Sequence, residues 1–299
     1  MEKSLLCVES FCSENKVAGK DNVILNDKRV LDHLLEVEIV YMPVKQYFKK
    51  NDLVPATRKI VAKWMLEVCE QEGCLGPVLP LAVNLLDRFL SKCDVPKNFL
   101  QLIAADCLLI ASKIRQSLPI SISTLCYYTD HSVTSCQLRN FEILIATKLK
   151  WDLAAVTSFD FIDQILQRIT WCNTRQEKVI RVHSITLLHL CCTDVEFFDY
   201  KPSMIAAASI ICAMKGIQMK MDSDRVSCVC SVVKTNSVEV ENIAAKIERI
   251  VSNEISHLNE SSTSKLIDNN NYETVTTKYP NSEKSKKPET PVDVQNVNF

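Results

Sequence analysis

The 299-residue chain contains only four glycines, at positions 19, 73, 76 and 216. Phosphate-binding loops and tight β-hairpins both require glycine at fixed offsets, because only glycine adopts their backbone conformations without strain. The shortage therefore argues against a glycine-rich nucleotide loop and against a sheet-rich fold. It favours helices joined by short polar turns.

The sequence also has no apolar run of about eighteen residues, the length that a membrane-spanning helix needs. Its first residues lack the basic and then apolar order of a secretory signal. The formal net charge is −1, so no excess of positive charge attracts a polyanion. We therefore expect no membrane and no direct nucleic-acid partner, and we expect the protein in the nucleus and cytoplasm.

The 14 cysteines do not follow the pattern of a disulfide scaffold or of a metal site. Cys69, Cys107, Cys191 and Cys212 fall inside apolar helical patterns, where a free thiol behaves as a small buried hydrophobe. The close pair at 228 and 230 has no second half-site at metal-ligand spacing. We predict reduced core cysteines, no metal and no cofactor.

Apolar residues that recur every three or four positions predict an all-α fold. The first helix follows Asp27, a residue suited to cap a helix N-terminus. The other predicted helices cover 55–72, 78–91, 97–114, 121–128, 135–148, 158–169, 177–196, 202–216 and 238–257, with a shorter one at 223–233.

Two of these helices share a sequence pattern. The Ile-Ala-Ala triplet at 103–105 recurs at 205–207, and in the same register Lys113 recurs as Lys215. Both segments are apolar nearly all round and rich in alanine, as is typical of a buried helix that neighbouring helices approach closely. The pattern predicts two copies of one helical domain, each built around an alanine-rich central helix.

From about Asn259 serine, threonine, asparagine and lysine dominate, and the apolar residues lose their period. Such a segment buries too little apolar surface to offset the entropy of ordering the chain. We predict a disordered tail from this point onward.

Four segments resemble the D-type cyclin family. They are residues 58–70 (RKIVAKWMLEVCE), 86–90 (LDRFL), 111–113 (ASK) and 148–155 (KLKWDLAA). The similarity is densest over 41–165 and weaker in the second half. The resemblance implies two tandem five-helix cyclin folds with an N-terminal helix and disordered N- and C-terminal tails.

The implied domain division follows from this resemblance. It gives a flexible N-terminus at 1–25, an N-terminal cyclin box at 26–152, a C-terminal cyclin fold at 153–258 and a regulatory tail at 259–299. The implied function is a non-catalytic regulatory subunit of a G1-phase cyclin-dependent kinase. It would activate the kinase allosterically, direct it to retinoblastoma-family substrates and promote the G1/S transition.

The resemblance assigns kinase binding to Lys113 and Glu142. A simpler interpretation is that Lys113 is a cation at a helix C-terminus, where the macrodipole favours it, and that Glu142 is a solvated surface residue. The two interpretations do not exclude each other.

The resemblance also assigns a substrate-docking groove, which in cyclins captures substrates and Cip/Kip-type inhibitors. The alternative is that this stripe is ordinary core, which apolar residues at helical spacing usually form. Thr57 stands where cyclins commonly have methionine, which lowers the apolar contact area of the groove. The predicted groove residues are Arg58, Ile60, Val61, Trp64, Glu67 and Gln101.

Two short motifs lie near the ends of the sequence. Leu5, Cys7 and Glu9 fit the Leu-x-Cys-x-Glu pattern that docks on retinoblastoma-type pocket proteins as an extended peptide. Thr290 and Pro291 resemble a D-type phosphodegron, in which phosphorylation creates a charged site for a ubiquitin ligase.

The residues with catalytic potential form no motif. The five histidines are scattered without a nucleophile or carboxylate at catalytic spacing, and we expect His183 and His189 to be hydrogen-bonded core groups.

Two other classes of protein stay open besides an enzyme of unknown mechanism. One is a transcription-type helical adaptor with the same fold, and the other is a virus-type or divergent cyclin.

Overall fold

The computed structural model describes residues 19–44, 48, 53–169 and 171–268, with side chains through residue 256. All regular structure within these residues is helical, which confirms the all-α prediction. The motifs at Leu5, Cys7 and Glu9 and at Thr290–Pro291 lie outside them. The α-helices are α1 (Asn22–Asn26), α2 (Lys28–Val37), α3 (Pro55–Gln71), α4 (Val78–Lys92), α5 (Leu100–Arg115), α6 (Ile122–Tyr128), α7 (Ser135–Lys148), α8 (Ser158–Arg168), α9 (Thr174–Thr193), α10 (Pro202–Gly216), α11 (Ser223–Val232) and α12 (Ser237–Asp268).

The helices begin where the sequence offers capping groups. The Asp27 carboxylate accepts a hydrogen bond from the Arg29 amide at 2.9 Å, as expected for the N-cap of α2. Thr134 and Asn173 each form a capping box at the start of α7 and α9. Pro55 occupies the first turn of α3, where its missing N–H costs no hydrogen bond.

The last helix is longer than predicted. The predicted helix ended at residue 257, but α12 continues to Asp268. Residues 259–268 therefore belong to a helix here, although their composition predicted a disordered segment. The helix formers Glu260, Lys265 and Leu266 are spread among the serines and threonines of this stretch.

Each half of the chain is built around its alanine-rich helix. In the first core Ala104, Ala105 and Ala111 on α5 are fully buried. In the second core residues 206–208 on α10 are fully buried. The prediction of two central helices is confirmed, and the small side chains let the surrounding helices approach closely.

The N-terminal helix packs on the second fold, although it precedes the first in sequence. Leu31 of α2 is part of the second core. Asp32 pairs with Lys234 at 2.7 Å. The buried Glu38 carboxylate accepts hydrogen bonds at 2.8 and 2.9 Å from the amide and hydroxyl of Ser203, in the first turn of α10. Burial raises the pKa of Glu38, while these two hydrogen bonds lower it.

The two folds meet at a junction near the end of α3. The Nε2 atom of His189 lies 2.8 Å from the carbonyl oxygen of Gly76, and burial lowers the pKa of this histidine. A Cβ atom at Gly76 would lie 2.6 Å from the Phe159 ring, so only glycine fits there without displacing its neighbour. His189 is thus a hydrogen-bonded packing group as predicted. The prediction for His183 is wrong, because that residue is exposed.

Candidate functional site

Lys113 and Glu142 form a direct ion pair on the surface of the first fold. Lys113 lies in the last turn of α5, where the helix dipole favours a cation, and its ammonium donates to Oε1 of Glu142 on α7. The two side chains are 43% and 26% exposed. The pair is therefore accessible to a partner and fixed between two packed helices.

Exposed apolar side chains lie next to this pair in sequence. Ile114 follows Lys113 and is 40% exposed, and Ile143 follows Glu142 and is 60% exposed. Trp151, three residues beyond the end of α7, is 70% exposed. Large apolar side chains that flank an ordered charge pair are typical of a protein interface.

The backbone holds Trp151 outward in a strained turn. Lys150 and Trp151 have φ values of +58° and +60°, which bulky residues rarely adopt. The turn is closed by a hydrogen bond of 2.8 Å from the Trp151 amide to the Ala146 carbonyl. Arg88 donates to the carbonyl oxygen of the next residue, Asp152, at 2.9 Å. Such strain persists where neighbouring contacts enforce it, often at functional surfaces.

A buried acid lies on the same central helix. Asp106 is fully buried, and neither carboxylate oxygen has a hydrogen-bond partner within the described part of the chain. The pKa of Asp106 is raised to about 9, chiefly by burial and also by Glu142, while Lys113 acts to lower it. The carboxyl is therefore neutral at physiological pH.

The predicted docking groove is only partly exposed. Ile60 is 36% exposed, but Arg58, Val61 and Trp64 are 3%, 4% and 1% exposed. Glu67 and Gln101 are half-buried. The three buried residues do not face solvent, so the core alternative describes them in this structure.

Arg58 joins the two folds. Its guanidinium makes bonds of 2.7 and 3.2 Å to the Asp87 carboxylate on α4. It also donates at 2.6 Å to the carbonyl of Cys192 on α9, and it lies 5.4 Å from the centre of the Phe198 ring. These contacts give Arg58 a structural role between the folds, and its assignment to the docking groove stays a prediction.

The other predicted features have simple outcomes. Cys69, Cys107, Cys191 and Cys212 are buried as predicted. Among the residues that the structure describes, no three histidine, cysteine or acidic side chains cluster as metal ligands would. No helix in the same residues combines the length and apolarity needed to cross a membrane.

Comparison with known proteins agrees with this architecture. The family described as cyclin, N-terminal domain matches residues 29–154, and the family described as cyclin, C-terminal domain matches 156–286. The chain is 47% identical to G1/S-specific cyclin-D3 of Bos taurus over 215 residues, 71% of this chain and 73% of that protein. It is 43% identical to G1/S-specific cyclin-D1 of Rattus norvegicus over 230 residues, 76% of this chain and 77% of that protein.

The chain belongs to the D-type cyclin family. The X-ray structure of a viral cyclin from Herpesvirus saimiri superposes with a TM-score of 0.65 and covers 75% of this chain and 97% of that one, but the identity is 26%. The higher identity to the D-type relatives decides against the virus-type alternative. As a D-type cyclin, the chain is a regulatory subunit of cyclin-dependent kinases with a role at the G1/S transition.

Sequence reasoning missed two features of this D-type cyclin. Trp151 was part of the family resemblance but was not singled out, although a tryptophan directly after a helix and before a polar residue is a candidate exposed anchor. Asp106 stands within an otherwise apolar run, and that isolation was the available signal of a buried acid. Its missing hydrogen-bond partners were visible only in three dimensions.

Proposed function

We propose that this D-type cyclin activates a G1-phase kinase through the surface made by Lys113, Glu142 and the exposed Ile114, Ile143 and Trp151. The observation that supports the proposal is an exposed ion pair that joins two packed helices, with an exposed isoleucine directly after each of its members in sequence. The charges set the orientation of the partner, and the apolar groups contribute buried area.

The mechanism requires no chemistry from the cyclin. A protein kinase is active when the ion pair between its strand lysine and its αC glutamate is formed. A rigid surface that binds the αC-in conformation more tightly than the αC-out conformation shifts the kinase population toward the active state. The packed cores beneath α5 and α7 supply that rigidity, because the surface does not deform to fit the inactive state.

Substrate direction is a second part of the proposal. Leu5, Cys7 and Glu9 would bind retinoblastoma-family pocket proteins and raise their concentration near the kinase. The exposed part of the α3 stripe, Ile60 with Glu67, would contribute to capture of substrates and Cip/Kip-type inhibitors. A ubiquitin ligase would read Thr290–Pro291 after phosphorylation, and the protein would act in the nucleus and cytoplasm.

The test compares two charge reversals. Lys113→Glu places two carboxylates together and removes the cation offered to the kinase, so the variant should recover no active kinase in a pull-down. Lys215→Glu is the matched control, because Lys215 ends the second central helix and pairs with Glu248 at 2.9 Å in a similar exposed geometry. It should recover kinase as the unchanged protein does.

Both variants should keep the circular dichroism and melting temperature of a folded protein, because both pairs are surface-exposed. A Lys113→Glu variant that folds and still recovers active kinase would overturn the proposal. An equal loss of kinase recovery with both substitutions would also overturn the proposal, since the effect would then not be specific to the first fold.

A further inference from the structure

Helix α3 ends in a turn that brings two cysteines together. The Cys74 amide donates to the Cys69 carbonyl at 2.8 Å, and the Gly73 amide donates to Glu70 at 3.2 Å. Gly73 has a φ of +58°. This is the Schellman arrangement, in which the side chains of the two residues joined by the outer hydrogen bond contact each other. Those two residues here are Cys69 and Cys74.

The turn places the two thiols close enough to perturb each other. The neighbouring thiol raises the pKa of Cys69 and lowers the pKa of Cys74, whereas burial raises both. Cys69 is buried, whereas Cys74 is half-buried and therefore reachable from solvent.

We propose that Cys69 and Cys74 form an oxidisable dithiol that a hydroperoxide closes to a disulfide within the folded protein. The 2.8 Å hydrogen bond between their backbones fixes the two residues side by side at the end of α3. A disulfide needs this kind of proximity, with Cα atoms about 4.4–6.8 Å apart. Cys74 is the attacking thiol and Cys69 the resolving thiol.

The reaction balances without another reagent. The Cys74 thiolate attacks one oxygen of hydrogen peroxide, the O–O bond breaks, and Cys74 becomes a sulfenic acid. The expelled hydroxide takes up the proton that Cys74 lost on ionisation and leaves as the first water. The Cys69 sulfur then loses its proton and attacks the Cys74 sulfur, forming the S–S bond and breaking the S–O bond. The displaced hydroxide takes that proton and leaves as the second water. Two thiols are oxidised and one peroxide is reduced.

Other thiols in the described residues lack this combination. Cys191 and Cys192 are neighbours, but burial raises the pKa of Cys191 and raises that of Cys192 to about 12. Cys136 is exposed and accepts a long hydrogen bond of 3.7 Å from the side-chain amide of Asn140. The thiolate is the reactive form of cysteine. The Cys69–Cys74 pair should therefore be oxidised at a lower peroxide ratio than Cys136, Cys191 and Cys192.

The experiment treats the folded, reduced full-length protein with a rising ratio of hydrogen peroxide, blocks remaining thiols by alkylation and digests with trypsin. Both cysteines lie in one peptide, residues 64–88. Closure makes this peptide two hydrogen atoms lighter and unable to take up alkylating reagent. We expect this product before oxidation at Cys136, an unchanged circular dichroism spectrum, and full reversal by dithiothreitol.

Two variants identify the order of the steps. With Cys69→Ala, the Cys74 sulfenic acid has no resolving thiol and should be trapped by dimedone. With Cys74→Ala, the peptide should stay unoxidised at the peroxide ratio that closes the native pair. Oxidation of Cys136 before the pair, or a Cys74 sulfinic acid without the linked peptide in the native chain, would overturn the proposal. Neither outcome bears on kinase activation.

Discussion

The two cyclin folds carry the same charged pair at the end of the same helix, but they surround it differently. Lys113 ends α5 and pairs with Glu142, and Lys215 ends α10 and pairs with Glu248. The glutamate is 26% exposed in the first fold and 48% exposed in the second. Ile143 and Trp151 accompany the first pair, whereas the polar Arg249 follows Glu248.

The comparison shows that an ion pair at the end of the central helix does not by itself make a docking surface. An exposed pair gains little in water, because solvent screens it. The first pair becomes a candidate for recognition only with the apolar side chains beside it, which a partner can cover. The second fold supplies matched controls for each feature of the first.

The largest expected effect concerns the link between the folds. Arg58→Ala removes the Arg58 guanidinium from the buried Asp87 carboxylate and also removes the bond to Cys192. Breaking such a buried pair should lower the free energy of unfolding by about 3–5 kcal/mol. Because Arg58 joins the two cores, calorimetry should show two separate melting transitions in place of one.

The control is Lys59→Ala, which removes a partly exposed pair between the same two folds. Lys59 is 40% exposed and lies 2.7 Å from Asp194. Loss of this pair should cost about 0–1 kcal/mol. A similar cost for both variants would show that Arg58 has no special part in joining the folds.

The second effect concerns Asp106, the buried acid of α5, which has no acidic counterpart on α10. In the register that aligns Lys113 with Lys215, Asp106 corresponds to Ala208. The pKa of Asp106 is about 9 in the folded chain against an ordinary value of 3.8. Since the folded pKa is raised, the unfolded carboxyl ionises first as pH rises, and folded stability falls between about pH 4 and 9.

Asp106→Ala should therefore raise the free energy of unfolding at pH 7 by up to about 4 kcal/mol, and by little below pH 4. Urea unfolding across this pH range measures the difference. Asp106→Asn keeps a buried polar group but cannot ionise. The difference in unfolding free energy between this variant and the native chain should therefore increase with pH in the same way. A native stability that does not fall from pH 4 to 9 would contradict the assignment.

The third effect concerns the exposed tryptophan. Trp151→Ala should weaken kinase binding by about 30-fold or more, as expected for an aromatic anchor at an interface. The unfolding free energy should change by less than about 0.5 kcal/mol, because the side chain is 70% exposed. Ile255→Ala on α12, which removes a 52% exposed side chain from the second fold, should leave kinase affinity unchanged. Surface plasmon resonance with immobilised kinase measures both.

The sequence predicted the helices well because caps and apolar periods are local signals. Asp27 and Pro55 mark helix starts without any tertiary information. The capping residue Asn173 was overlooked, so the predicted start of α9 at residue 177 lies three residues after the observed one. The internal repeat likewise predicted α5 and α10 as central helices. The pairing of Lys113 with Glu142 agrees with their joint assignment to one site, although kinase binding by them stays a prediction.

Features that depend on distant segments were not predictable in the same way. Arg58 resembles an exposed groove residue until Asp87 and Cys192, 29 and 134 positions away, enclose it. The contact of Leu31 on α2 with the second core joins residues far apart in the chain, which no local pattern encodes. The bond from Arg88 to the Asp152 carbonyl, 64 positions away, is likewise visible only in the folded chain.

The most direct test of the central claim is the affinity of one purified G1 cyclin-dependent kinase for three forms of this cyclin, measured by titration calorimetry. The native chain and Lys215→Glu should bind with equal dissociation constants. Lys113→Glu should bind about 100-fold more weakly or not at all, with an unchanged melting temperature. If Lys113→Glu and Lys215→Glu bound the kinase with equal affinity, the account would be contradicted, because kinase binding would then not depend on the surface around Lys113 in the first fold.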